Sequence, residues 1–242
     1  MYPVLPIGSL VLPTAPLIYL LGIYLSLNIV EWAAKALQLP ATRIYEVVAG
    51  AVVAGFIAAR LAFILNNFSD FLAEPLSLIW PLTNGYDPVV GFCASLIVFV
   101  LPIRHSKLPF AQVADAVIVG VVVAVAAMSI ADGLARASLG TVTTLPWGVV
   151  IANVRRHPVA IYEVLVSLVA FAVWWRLSAR DQPDGHLFLA TLGVLSFGRF
   201  LTEAFRTTVP TLGDGYRAMQ LLTLLIVLTI LYTFLRQATI DA

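Results

Sequence analysis

The sequence predicts an all-α polytopic membrane protein of about seven transmembrane helices with a small extracytoplasmic cap, folded as one transmembrane domain over residues 1–242. Three observations carry this. Hydrophobic residues make up 61% of the chain and charged residues 11%, less than half the roughly 25% charge of a soluble domain, and mean hydropathy is +0.97. The apolar residues fall in runs long enough to cross a hydrocarbon core about 30 Å thick. Clusters of proline and glycine separate the runs.

The runs place helices at 15–37, 45–66, 89–103, 110–132, 160–177, 186–206 and 217–236. Pro40 ends the first. The second carries Arg60 among small residues that allow close helix approach. The third is short, the length of a tilted or partly re-entrant segment. Pro109 precedes the fourth, which ends on Asp132. Pro158 fits the first turn of the fifth, and Pro183 with Gly185 opens the sixth. Gly213 and Gly215 precede the seventh. Lysine and arginine in short loops favour the cytoplasmic side. With the N-terminus outside, the inner side holds Lys35, Arg43, Arg104, Lys107, Arg176, Arg180 and Arg236. The outer side holds Arg136, Arg155, Arg156, Arg206 and Arg217. The long connections 67–88 and 133–159 are then the segments large enough to form a lid or periplasmic cap. Met1-Tyr-Pro-Val-Leu-Pro lacks the positive n-region of a signal peptide.

Several function classes are disfavoured. A net charge of +1 without a basic run offers no track for nucleic acid. Cys93 is the lone cysteine, so no disulfide, metal or redox pair is expected. No Gly-rich phosphate loop, Cys/His metal spacing or Gly-x-Ser-x-Gly elbow occurs.

The informative residues are the ionisable ones inside apolar runs, because such groups are costly in hydrocarbon and mark function. Arg199 and Glu203 are four apart and share a helix face, with Arg206 one turn on. Two arginines exceed what one glutamate neutralises, and a guanidinium fork matches phosphate oxygens. They therefore read as an anion clamp near the outer leaflet, or else as a structural ion pair with Arg206 reaching the interface. The run Arg155-Arg156-His157-Pro158 places His157 at a helix start, with Tyr162 and Glu163 about one turn inside. It reads as headgroup binding plus a polar chain of His157, Tyr162 and Glu163, or as an interfacial belt. Arg60 needs a buried partner, for which Asp132, Glu163 and Glu203 are candidates. Asp115 is expected to cap or pair near Arg104 and Lys107. Ser129, His157 and Asp132 are the parts of a Ser/His/Asp assembly without a spacing test.

These islands resemble, in order, the motifs of the prolipoprotein diacylglyceryl transferase family. Ala59-Arg-Leu-Ala-Phe is similar to the family's Gly-Ala-Arg-Leu-Gly-Tyr segment. Leu145-Pro-Trp followed by Arg156-His-Pro-Val-Ala-Ile-Tyr-Glu163 resembles its Leu-Pro-Trp and Arg-His-Pro-x-Gln-Leu-Tyr-Glu pair. Gly198-Arg-Phe-Leu-Thr-Glu-Ala-Phe-Arg206 resembles its Arg-Phe-x-x-Glu-x-x-Arg helix, and Tyr19 matches a first-span tyrosine. There are departures. Anchored on Gly140, the family's signature arginine is Ser129 here, its asparagines are Asp132 and Ala135, and its glutamate is Ala137. The histidine of its Phe-His-Gly-Gly loop is lost at Pro88-Val-Val-Gly91.

The resemblance implies a bacterial inner-membrane enzyme that moves diacylglyceryl from phosphatidylglycerol to the lipobox cysteine thiol of a prolipoprotein signal peptide, among membrane lipids and without cofactor or metal. It implies Arg199, Glu203, His157 and Asp132 as catalytic residues, with His157 and Asp132 both candidates for the thiol base. Arg60, Arg206, Tyr162, Glu163, Tyr19 and Arg136 are implied as substrate-binding residues, Arg136 standing in for the lost arginine. The departures leave a second reading open, a catalytically silent phospholipid-binding homologue with an accessory or transport role.

Overall fold

The structure is a computed structural model and describes residues 4–7, 10–69, 85–106, 108–207, 211–212 and 215–240. Seven long helices lie among the described residues: α1 Thr14–Ala36, α2 Ala41–Asn66, α3 Pro88–His105, α4 Phe110–Ala135, α5 Val159–Ser178, α6 His186–Glu203 and α7 Ala218–Ile240. All but α6 are long and apolar enough to cross a membrane. The chain is an all-α polytopic membrane protein. Helix α6 is the least apolar of the seven and carries His186, Arg199 and Glu203. The apolar runs locate every helix to within a few residues. The third is one continuous helix of 18 residues, long enough to span.

Among the described residues, three short antiparallel hairpins go beyond the hydropathy pattern. They pair β1 Val4–Ile7 with β2 Leu10–Pro13, β3 Val149–Ile151 with β4 Val154–Arg156, and β5 Thr211–Leu212 with β6 Tyr216–Arg217. Ala152 and Asn153 turn between β3 and β4 at φ of 50° and 63°. Two positive values are what a tight hairpin turn demands.

The chain divides into two compact units, residues 30–113 and residues 1–29 with 114–242. In the first, α2 packs on α3 through small residues. Ala51, Gly55 and Ala59 are buried at four-residue spacing. A Cβ on Gly55 would fall 2.9 Å from the Gly91 carbonyl oxygen, the close backbone approach that small residues permit in lipid. Asp87 starts α3: its Oδ1 accepts the N–H groups of Val89 at 3.0 Å and Val90 at 3.1 Å, with Pro88 at the first helical position. The Asp87 N–H donates to the Ala59 carbonyl at 2.9 Å, tying this cap to α2.

In the second unit, one end of the bundle is fixed by Asp115. Its carboxylate accepts the N–H groups of Gly185 at 2.7 Å and Phe188 at 2.6 Å, the unpaired donors at the start of α6. Its carbonyl accepts the indole N–H of buried Trp174 at 2.8 Å. Asp115 is a cap, as expected, but for α6 rather than for its own helix. A carboxylate there satisfies two donors and meets the positive end of the α6 dipole. Asp115→Ala is expected to lower stability by about 1–3 kcal/mol, and Asp115→Asn by less. Thermal unfolding in detergent checks this, and equal midpoints for all three proteins would show that the cap contributes nothing.

The other end carries a β-ribbon. The segment Leu139–Thr143 runs between β4 and the chain after α6. Thr141 N–H donates to Phe205 O at 2.8 Å and Thr207 N–H to Leu139 O at 3.0 Å on one side. On the other, His157 N–H donates to Thr141 O at 3.0 Å and Thr143 N–H to Arg155 O at 3.0 Å. This pairing ends α6 at Glu203, three residues before the sequence pattern does, since Arg206 bridges Gly140 instead of continuing the helix. Gly140 is required here, because any Cβ would overlap the backbone of His157.

Candidate active site

Helix spacing decides which side chains meet. Arg199 and Glu203 lie four apart on α6, and Arg206 lies three residues beyond Glu203 where the chain turns into the ribbon. Glu163 lies one turn inside α5, which packs against α6. A Cβ on Gly198 would overlap Val166, so the two backbones approach closely and the α5 carboxylate reaches the α6 guanidinium. Glu163 Oε1 accepts from Arg199 Nη1 at 2.5 Å, from Arg206 Nη2 at 2.7 Å and from Arg206 Nε at 3.2 Å. Its Oε2 accepts from Ser129 Oγ on α4 at 3.0 Å. Glu203 Oε2 is 3.3 Å from Arg199 Nε and 3.7 Å from Arg206 Nε, an electrostatic contact without the alignment of a hydrogen bond. Arg217 donates to the Glu203 carbonyl, tying the start of α7 to the end of α6.

The surplus of positive charge expected from sequence is therefore corrected. Two arginines face two glutamates, and the second carboxylate comes from Glu163, 36 residues from Arg199. The carboxylates do not exhaust the forks. Nη2 of Arg199 and Nη1 of Arg206 meet no acceptor among the described residues.

A cavity of about 400 Å³ opens beside this cluster. Asp132, Ser129, Glu163, Arg199 and Arg206 are among its polar lining residues, and Val121, Val125, Leu192 and Leu195 are among the apolar ones. A polar end and a long apolar wall suit an amphiphile whose charged head lies by the arginines. Asp132 Oδ1 accepts the hydroxyl of Tyr19, on α1, at 2.6 Å.

The remaining candidates lie elsewhere. His157 Nδ1 is 3.2 Å from the Tyr162 hydroxyl, which also accepts the Trp147 indole N–H at 3.0 Å. The His157 ring packs 4.6 Å from Phe205. His157 and Tyr162 thus form a polar pair, but Glu163 turns to the arginines and is no part of that chain. The Ser129–His157–Asp132 assembly is not formed, since Ser129 donates to Glu163 and Asp132 accepts from Tyr19. Arg156 donates to the Gly140 carbonyl at 3.0 Å and holds the ribbon, while Arg155 is exposed. Arg136 is exposed just after α4, at φ 58°, and is not among the cavity residues. In the other unit, Arg60 donates to Gly85 O at 3.0 Å and stands 5.4 Å over the Tyr86 ring.

Sequence reasoning missed three contacts. Ser129 and Arg217 serve the two glutamates, and Trp147 serves Tyr162. Ser129 lies 34 residues from its partner, and no local spacing marks such a contact. Only the Leu-Pro-Trp motif drew attention to Trp147.

A family profile described as prolipoprotein diacylglyceryl transferase matches residues 4–236. Among curated proteins, the phosphatidylglycerol–prolipoprotein diacylglyceryl transferase of Coxiella burnetii (strain Dugway 5J108-111) is 32% identical over 165 residues, 65% of this chain and 62% of that protein. The protein of the same name from Clostridioides difficile (strain 630) is 26% identical over 164 residues, 67% of this chain and 66% of its own. That of Campylobacter jejuni (strain RM1221) is 26% identical over 174 residues, 66% and 62%. The match thus spans a little under two thirds of each relative's length. With the profile covering nearly the whole chain, the protein belongs to the prolipoprotein diacylglyceryl transferase family.

Proposed function

We propose that the protein transfers the diacylglyceryl group of phosphatidylglycerol to the lipobox cysteine thiol of a prolipoprotein signal peptide. It does so in the bacterial inner membrane, with the cavity toward the outer leaflet. The observation that carries this reading is the pair of guanidinium groups converging on Glu163 at the polar end of an apolar cavity, each keeping one nitrogen for a ligand. The names of the relatives support it.

The chemistry needs two things from such a wall. A phosphodiester anion has to be bound, and the further charge that develops on the phosphate as its ester bond breaks has to be stabilised. Donors fixed in advance and aimed at that charge act in the transition state. Glu163 and Glu203 fix them, because a guanidinium held on two sides loses little freedom when phosphate arrives. The apolar wall takes the first carbons of the acyl chains.

The test is a purified protein in phosphatidylglycerol nanodiscs with a synthetic lipobox peptide. Mass spectrometry is expected to show the thioether-linked diacylglyceryl peptide, with glycerol phosphate released in equal amount. A folded preparation that binds the lipid and yields no product would overturn the reading in favour of a silent lipid-binding homologue.

A further inference from the structure

We propose that Asp132 takes the proton from the acceptor thiol, with Tyr19 holding one carboxylate oxygen so that the other faces the cavity. This rests on the transferase reading above. The sequence offers His157 and Asp132 for the task, and their surroundings differ.

Two carboxylates line the cavity, Glu163 and Asp132. Both oxygens of Glu163 are occupied, one by three guanidinium N–H groups and one by Ser129. A proton arriving there would break the ion pairs that order the arginines. Asp132 has no such commitment. Among the described residues no lysine or arginine forms an ion pair with it, Oδ1 accepts only Tyr19, and no described residue donates to Oδ2. His157 is not among the cavity residues. Its Nδ1 faces Tyr162 and its ring packs on Phe205, a setting that fixes the ribbon rather than meets a substrate.

The thiol proton passes to Asp132 Oδ2. The sulfur attacks the glyceryl carbon esterified to phosphate, and the C–S bond forms as the C–O bond breaks. The bonding pair leaves on the phosphate oxygen, beside Arg199 and Arg206. The proton then passes from Asp132 to the departing glycerol phosphate, which restores the carboxylate. A free thiol ionises near pH 8.5, so at neutral pH the acceptor arrives protonated and the transfer to Asp132 accompanies attack. The charged and titratable groups facing it are Tyr19 from α1, Glu163 from α5, and Arg199 and Arg206 from α6 and the chain after it.

The distinguishing measurement is the pH dependence of thioether formation in phosphatidylglycerol nanodiscs. Wild type is expected to give a rate nearly flat from pH 6.5 to about 8.5, because the thiol proton passes to a group in the cavity and not to solution. Asp132→Asn is expected to lower kcat about 10²–10⁴-fold, with little change in KM for the lipid. Its residual rate should climb roughly tenfold per pH unit, because the thiolate must then come from solution. Tyr19→Phe, which keeps the carboxylate, should cost about tenfold and leave the profile flat. His157→Gln should also keep the flat profile, and this arm does not depend on the folding of the Asp132 variant. A flat profile with wild-type kcat in Asp132→Asn, or a climbing one in His157→Gln, overturns the proposal while the transferase reading stands. Absence of product from wild type removes both.

Discussion

Glu163→Ala is expected to destabilise the protein by about 3–5 kcal/mol, because it leaves two guanidinium groups in a buried site without the carboxylate they share. A fall of roughly 10 °C in the unfolding midpoint in detergent corresponds to that loss. Glu163 is 5% exposed, so water offers little compensation. Glu163→Gln keeps an acceptor and the side-chain shape, and should lose less. The double variant Glu163→Gln with Arg206→Gln should recover part of the loss, since it also removes a charge stranded by the first change. Strict additivity of the two changes would show that Glu163 and Arg206 do not interact. Unchanged midpoints would mean that other anions, such as lipid phosphates, take the place of the carboxylate.

Arg199→Ala is expected to reduce kcat for thioether formation about 10²–10³-fold, the usual effect of deleting one preorganised donor from a site of developing charge. It is the more solvent-accessible of the two arginines, with its side chain 32% exposed against 15% for Arg206, so its loss should cost less in folding. Arg199→Lys should recover only a small part of the rate. An ammonium can meet Glu163 or the phosphate, but it lacks the planar fork that meets both. Initial rates at saturating phosphatidylglycerol separate kcat from KM. A variant that raises KM and leaves kcat intact would assign Arg199 to ground-state binding alone.

The helices were legible in the sequence because lipid imposes one rule on every span: about twenty apolar residues, then a break. Helix α6 was found by the same pattern although it is the least apolar. The pattern runs three residues past its end, because nothing local shows that Arg206 pairs with Gly140 across 66 residues of chain. The Arg199–Glu203 pair was legible as a four-residue spacing. Its partner Glu163 was visible as an ionisable residue out of place, but the contact was not, and the charge balance was misjudged for that reason. Asp115 shows the same limit: a capping role could be inferred from residue type, while the helix it caps could not. The short hairpins escaped notice because two- to four-residue strands leave no periodicity to detect.

Helix α6 is held at both ends. Asp115 grips its first turn, while Arg217 and the Gly140 ribbon grip the residues at its far end. A rod pinned at both tips cannot slide along its own axis. The 18 residues between make a spacer of about 27 Å, so the distance of Arg199 from each grip is set by the length of the helix. Arg199 and Glu203 are thereby held at one level along the helix axis against Glu163 on the neighbouring helix.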